Sequence, residues 1–376
     1  MLTKADDYPI HQTPDPIAFA GTHQNFYDRY WFNGYSSKGD LYFGIALGVY
    51  PYRRIIDGSF SVILDGTQHS IHASRAFNLD RMETFVGPIN IKVLEPLNRL
   101  EISIAENEYD IHGLLTFEGR CQAILEPRFT LETGPRVIFD YTRLTQNGTY
   151  SGWLNIKGER VEISNANYFG TRDRSWGIRP IGNLGAEPMA SQSTPQFFWM
   201  WAPINYEDCV TYFGTNENAD GAPWHRSGMF LRLEGEEPLK TASVEAVYEF
   251  KSGTRHVKNL TLNYKFPAGE EIQVSLEPQY HFYMAGLGYS NPSWGHAVYK
   301  GDDVTGYEAY DLDKLDETEY QFLHVQAFVK ARLEMAKHGE RQGVGILEQT
   351  VLGPHEPTGF KETYDMSPDI VSQCRI

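Results

Sequence analysis

In "RLEISI", Leu100, Ile102 and Ile104 alternate with Glu101 and Ser103. Extended chain there has one oily face and one wet face, the signature of a half-buried strand. The same reading applies to "ASVEAVYEF", "NLTLNYKF" and "EIQVSLEP", and an earlier run of strands opens at "DLYFGIALGVY". "SFSVILDGTQHSIHA" predicts a hairpin, with Asp65-Gly66 as the turn and β-compatible residues on both sides. "EYQFLHVQAFVKARLEMAKHGERQGVGILEQ" is rich in helix formers. Its period is nevertheless two: Val325, Ala327, Val329, Ala331 and Leu333 alternate with His324, Gln326, Phe328, Lys330 and Arg332. This predicts a strand, a turn at "AKHGERQ" and a second strand at "GVGILEQTV", with a short helix as the competing reading.

No long amphipathic helix and no alternation of strand and helix units interrupts this pattern, so the chain is expected to be all-β, built as sandwiches or barrels. Pro9, Pro14 and Pro16 give residues 1–22 the look of an extended lead-in. A soft boundary falls in "GNLGAEPMASQSTPQ", rich in small and turn residues. It separates an N-terminal domain, 23–185, from a C-terminal one, 186–376, each large enough for one barrel.

Composition narrows the function. Of 376 residues, 14% are aromatic, which suits strands and also pockets for ring-bearing or oily ligands. The net charge of -16 and the lack of basic runs exclude a nucleic-acid footprint and give no attraction to an anionic membrane. Three scattered cysteines make no disulfide framework. The acidic, proline-rich N-terminus has no apolar signal core, and no run is long enough to span a bilayer, so a cytoplasmic protein is expected. "GIALG" is a strand with small residues rather than a phosphate loop, and there is no Gly-x-Ser-x-Gly elbow. His69 and His72, three apart on a strand, face opposite ways. With no ligand cluster of suitable spacing, neither a metal nor an organic cofactor is expected. Homo-oligomerisation is compatible with the sequence, which sets no subunit number.

One stretch stands apart. "FGTRDRSWGIRP" gathers Arg172, Asp173, Arg174, Trp176 and Arg179 within a few positions. If extended, Asp173 and Ser175 share one face while Arg172, Arg174 and Trp176 take the other. Two readings stand side by side. An arginine across a tryptophan is a salt-bridged way to close a barrel. A carboxyl held against aromatic rings loses solvation, and its pKa rises towards the range of a general acid.

The "DRSWG" pattern after "YFG", with the late "GVGILEQTVLG" and the early "RYWFNGYSSKGDLYFGIALGVYP", resembles the hydroxyneurosporene synthase family of carotenoid hydratases and its wider group of paired lipocalin-like barrels. The family's tyrosine two positions before the aspartate is Thr171 here, and its upstream His-x-Trp pair has no match, since "YSG" precedes Trp153. The resemblance implies two lipocalin-like antiparallel β-barrel or sandwich domains packed together. It further implies a cofactor-independent lyase that adds or removes water at an isoprenoid double bond. Asp173 would transfer the proton, assisted by Arg172 and Arg174. Tyr168, Trp176, Arg179, Trp199 and Trp201 would line the substrate pocket. A phenolic substrate would allow carbon–carbon cleavage at the same site. A non-catalytic carrier of an apolar ligand and a purely structural barrel pair are the rival readings.

Overall fold

The two-residue period becomes strand and burial together. The computed structural model describes residues 2–9, 23–78, 80, 82–181, 195–233, 238–336, 339–366 and 371–374. Strands are β1 Phe26–Ser36, β2 Tyr42–Tyr50, β3 Ile55–Leu64, β4 Thr67–Ala76, β5 Phe85–Val86, β6 Ile89–Glu95, β7 Arg99–Ile104 and β8 Ile111–Gly119. They continue with β9 Ile124–Leu125, β10 Phe129–Thr133, β11 Arg136–Ile156, β12 Glu159–Ile163, β13 Tyr168–Ile178, β14 Phe197–Tyr206, β15 Cys209–Glu217 and β16 Pro223–Arg232. The last are β17 Leu239–Lys240, β18 Ser243–Phe250, β19 Val257–Lys265, β20 Glu271–Tyr283, β21 Val304–Asp311, β22 Val325–Met335, β23 Gly339–Leu352 and β24 Val371–Cys374. In β7 and β18 every second residue is buried, as the pattern demands. The Asp65-Gly66 hairpin joins β3 to β4 with both residues at positive φ, 48° and 74°. The helix-rich stretch is β22 and β23, paired antiparallel. Of its competing helix there is a three-residue 3-10 turn, Tyr320–Phe322.

The chain forms two compact units, Met1–Ala186 with Ala285–Leu315, and Glu187–Met284 with Asp316–Ile376. The sequence assigned 285–315 to the second domain. The structure gives it to the first, because β21 pairs with β4 and extends the first sheet. The soft boundary is centred on residues 182–194, which lie outside the described residues, as do Pro14 and Pro16 of the lead-in.

Within unit 1 the order β21-β4-β3-β2-β1-β13-β11-β8-β7-β6-β5 is antiparallel throughout. The sheet curls until β5 meets β3 and β4 across a core that includes Phe32, Phe43, Leu47, Phe60, Ile102 and Phe117. Unit 2 runs β17-β16-β15-β14-β23-β22-β20-β19-β18-β24 and curls until β16 meets β18, around Phe198, Tyr248, Leu262, Val274 and Leu347.

The lead-in is not simply extended. Lys4–Asp7 is a 3-10 turn, and Asp7 is fully buried. It forms an ion pair with Arg172, itself without exposure, and accepts the Leu97 N–H. Burying a guanidinium is tolerable only with such a partner. Asp7→Ala strands Arg172 in the core, and the expected loss is about 3–5 kcal/mol of stability. Urea denaturation of the variant against the parent measures it, and a loss below 1 kcal/mol would show that the pair contributes little.

Candidate active site

Strand register places one residue of each strand beside its neighbour's, so the outer face of unit 1 can be read in rows. One row runs His72 (β4), Ser59 (β3), Ala46 (β2), Trp31 (β1), Asp173 (β13) and Thr145 (β11). The next runs Ser74, Asp57, Gly48, Arg29, Ser175 and Arg143. Neighbouring strands lie about 4.8 Å apart, so each row crosses six strands. Polar groups flank a column of small residues on β2, and that column is the "GIALG" stretch. Tyr50 folds its hydroxyl end over Gly48, a place where a Cβ would collide with it.

The segment that joined unit 1 unexpectedly covers this face. Gly286 sits against Ser61, Gln68 and Ser70. Trp294 stacks on His72 at 5.4 Å with the rings 8° from parallel. Beneath lies a cavity of about 10 Å³, lined among others by Ala46, Asp57, Ser59, His72, Trp294 and His296. That is room for about one water.

Asp57 is the distinctive group at this cavity. Its Oδ2 accepts the Ala297 N–H at 2.6 Å and its Oδ1 the Tyr50 hydroxyl at 3.2 Å. Burial pushes its carboxyl up to about 6, against the opposing pull of that N–H, of Arg29, of the Tyr50 hydroxyl and of Arg179. Burial likewise raises Tyr50 well above its ordinary value, aided by Asp57. Beside them, Ser59 Oγ lies 2.8 Å from His72 Nδ1, and His72 Nε2 lies 3.3 Å from Glu308 Oε2. A carboxylate fixes the tautomer: Nε2 carries the hydrogen and Nδ1 accepts from Ser59. Burial would raise Glu308, but His72, Asn291 and Tyr310 as donors hold it below its ordinary value.

Two guanidinium groups complete the face. Arg29 donates to the Tyr289 hydroxyl at 2.8 Å and lies over that ring. Arg179 lies over Tyr27 at 4.5 Å and contacts His296 Nδ1 at 3.4 Å. His296 Nε2 donates to the Leu287 carbonyl at 2.9 Å, which leaves Nδ1 to accept. Arg29 Nη2 and Arg179 Nε are buried without an acceptor among the described residues. Farther along, Arg143 grips Glu126 through two hydrogen bonds, 3.0 and 2.7 Å.

The residues singled out by sequence are dispersed. Asp173, 9% exposed, and Arg179 reach this outer face, with Asp173 acting electrostatically on Tyr27 and Arg143. Arg172 and Arg174 turn inward, as alternation required. Their expected role beside Asp173 is corrected, because Arg172 is committed to Asp7 and Gln146, and Arg174 to Asp28 at 2.5 Å. Trp176 shares their side of β13 by alternation. Tyr168 packs against the inner core of unit 1. Trp199 and Trp201 belong to unit 2, where Trp199 Nε1 donates to Glu348 at 3.0 Å. Glu348 also takes His324 at 2.8 Å and Gln326 at 2.6 Å. Burial opposes its charge, and these donors hold its pKa below the ordinary value. Asp57, Arg29, Tyr50 and Glu308 were not singled out by sequence, and His72 was weighed there only as a metal ligand. Each sits alone in an unremarkable strand, and only pairing brings them together.

Two curled antiparallel sheets with this curvature define a lipocalin-like all-β protein. The chain belongs to a family of unknown function, DUF8625, whose model matches residues 2–361. Comparison with curated proteins gave no match. Among solved structures it is similar to CghA with Sch210972, at TM-score 0.52 and 11% identity, over 92% of this chain and 96% of that one. It is also similar to a candidate AttH from Nitrosomonas europaea, at 0.51 and 13%, over 90% and 98%. Kievitone hydratase from Nectria haematococca aligns at 0.49 and 14%, over 86% and 88%. What is shared with CghA and the candidate AttH is the fold, and that is the part of the expected resemblance these comparisons carry.

A raised carboxyl pKa has a thermodynamic sign. Asp57 holds its proton more tightly folded, at about 6, than its ordinary value of 3.8. Its contribution is therefore full below pH 4 and is lost as pH rises through 6. Asp57→Asn keeps the shape without the charge. Between pH 4 and 7 the parent should lose up to about 3 kcal/mol relative to this variant. Paired denaturation curves across that range check it, and parallel pH profiles would contradict it.

Proposed function

We propose that the protein is a lyase of the hydratase/dehydratase or carbon–carbon lyase type, acting by proton transfer on an apolar isoprenoid or phenolic small molecule. The observation that carries this reading is Asp57, an acid of pKa about 6 at a water-sized cavity. An acid poised near neutrality can both give and retake a proton. In hydration, Asp57 protonates one alkene carbon while the neighbouring carbon gains positive charge. Water from the cavity bonds to that carbon and releases a proton through the Ser59 hydroxyl to His72 Nδ1, and exchange with solvent returns His72 and Asp57 to their starting states. Dehydration is the same path reversed. The face supplies its own donors and acceptors, which is what a cofactor-independent reaction needs.

Arg29 and Arg179 favour a substrate bearing a phenolic or carbonyl oxygen. Buried N–H groups without acceptors are costly, and such an oxygen satisfies them. Tyr27, Tyr289 and Trp294 offer the ring walls against which an apolar body would pack. Substrate larger than the cavity enters only if the covering segment around Trp294 moves aside. Asp173 is the second carboxyl of the face, and it is the one favoured by the resemblance of "DRSWG" to the carotenoid hydratases. The fold of CghA, solved with Sch210972, supports a ligand-handling role.

The test starts from mass spectrometry of apolar and aromatic compounds retained on the purified protein, followed by incubation of each with the protein in heavy water. The parent should place solvent deuterium in one of them. Asp57→Asn should lower that rate about 10²–10⁴-fold, the usual worth of a general acid, without lowering the melting temperature. Asp173→Asn should cost less. If Asp173→Asn is instead the dead and stable variant, the acid is Asp173. A retained compound that stays unlabelled supports the carrier.

A further inference from the structure

Unit 2 holds a cluster that the proposed reaction does not use. His256, His281 and Glu317 bring two imidazole nitrogens and a carboxylate oxygen within 4.8 Å of one another. His256 Nδ1 lies 3.4 Å and His281 Nδ1 3.8 Å from the same atom, Glu317 Oε2. Ligands at 2.0–2.1 Å around a tetrahedral zinc ion stand roughly 3.3 Å apart. The first distance is already that of a coordination edge, and the second needs a shift of roughly half an ångström.

The surroundings are those of a ligand set. His256 Nε2 is 3.2 Å from the Phe322 carbonyl, which can only accept, so Nε2 carries the hydrogen. In the neutral ring Nδ1 is then a lone pair aimed at a carboxylate oxygen. Two acceptors at 3.4 Å need a positive charge between them. A backbone carbonyl on the far nitrogen is the usual support of a metal-bound histidine. Glu317 is supported in the same way, its other oxygen held by Lys251 Nζ at 2.5 Å. His256 has no exposure, while Glu317 keeps 21% and His281 13%, leaving a side from which an ion can enter.

His281 reaches the cluster through a local irregularity. In β20, Ile272, Val274 and Leu276 face the core, so an unbroken period would turn position 281 away. A bulge between Pro278 and Tyr280 shifts the phase, and His281 falls opposite the core residue Ala327. The three residues stand 25 and 36 positions apart, beyond any metal motif readable from spacing. The expectation that no ligand cluster exists is corrected on this point.

We propose that His256, His281 and Glu317 form a binding site for a divalent transition-metal ion of the zinc class. Two imidazoles select such an ion over magnesium or calcium, whose ligands are oxygens. Three protein donors leave a fourth position for water. The ion ties the turn before β19, the bulged end of β20 and the segment before β22 into one clamp.

The test uses the full-length chain, stripped with a chelator and titrated with zinc(II) in competition with a chromophoric chelator, then with cobalt(II). The parent should take up one strongly held equivalent. With cobalt it should show the intense visible absorption of a low-coordinate site. His281→Ala and Glu317→Gln should each weaken binding by 100-fold or more and abolish the absorption. His112→Ala, in unit 1, should leave both unchanged. Zinc should raise the melting temperature of the parent and of His112→Ala only. Equal affinity in parent and His281→Ala, or a parent without a strongly held equivalent, overturns the site, and a proton then bridges His256 and Glu317. The readouts are independent of turnover, so the site stands or falls apart from the proposed reaction.

Discussion

Arg172 and Arg174 stand on the inner face of β13 with no exposure to water, and much of unit 1 follows from that burial. A guanidinium keeps its charge in any environment, so its surroundings must answer it. Asp7 answers Arg172 from the N-terminal turn and Asp28 answers Arg174 from the adjoining strand. The rings of Phe117 and Tyr30 add cation–π contact, Tyr30 at 4.0 Å. A slip of one residue in β13 would carry both arginines out and Asp173 and Ser175 in, leaving two aspartates unpaired. The pairs therefore lock register as well as charge, and the register determines what the opposite face presents.

That opposite face is polar because its rows were free to be. β2 contributes Gly44, Ala46 and Gly48, too small to fill the space between their neighbours. Larger groups lean in, Tyr50 from the end of β2 itself, Asp57 from β3 and Arg29 from β1. A sheet face with this content cannot be left as ordinary core. Covering it with Ala285–Leu315 removes water from Asp57, and the loss of water raises the carboxyl's pKa. The same covering makes β1 and β2 buried on nearly every residue, where an open antiparallel strand would alternate. Local geometry, the choice of small residues and the acid's strength are thus one chain of cause.

How far the sequence displayed this differs by level. Strand period was legible wherever one face stays wet, as in β7 and β18. It was legible even in β22, where helix formers obscured it, because alternation reports burial and propensity does not. The two faces of the "TRDRSW" stretch were legible for the same reason. The partners were not. Asp7 lies 165 residues from Arg172, and β21 joins its sheet from 228 residues beyond β4. Contacts of such separation leave no local pattern, so the lead-in was read as extended and 285–315 as part of the second domain.

The motif and the proposed site both centre on an aspartate, but on different ones, and strand geometry says why. The motif drew attention to a carboxyl flanked by arginines, but flanking in sequence means opposite faces in a strand. Arg172 and Arg174 point the other way, to Asp7 and Asp28. The groups that do act on this face's carboxyls come from other strands: Arg143 on Asp173, and Arg29 with Arg179 on Asp57. Of the two carboxyls, Asp57 combines a water-sized cavity with desolvation strong enough to bring its proton near neutrality. Its two direct donors are one backbone N–H and a hydroxyl, and neither carries charge. Two ordinary hydrogen bonds cannot offset the loss of water for a full charge, so the proton stays until pH 6. A carboxyl that has lost its water and whose direct donors are uncharged is suited to hold a proton, and Asp57, in an otherwise plain strand, meets both conditions.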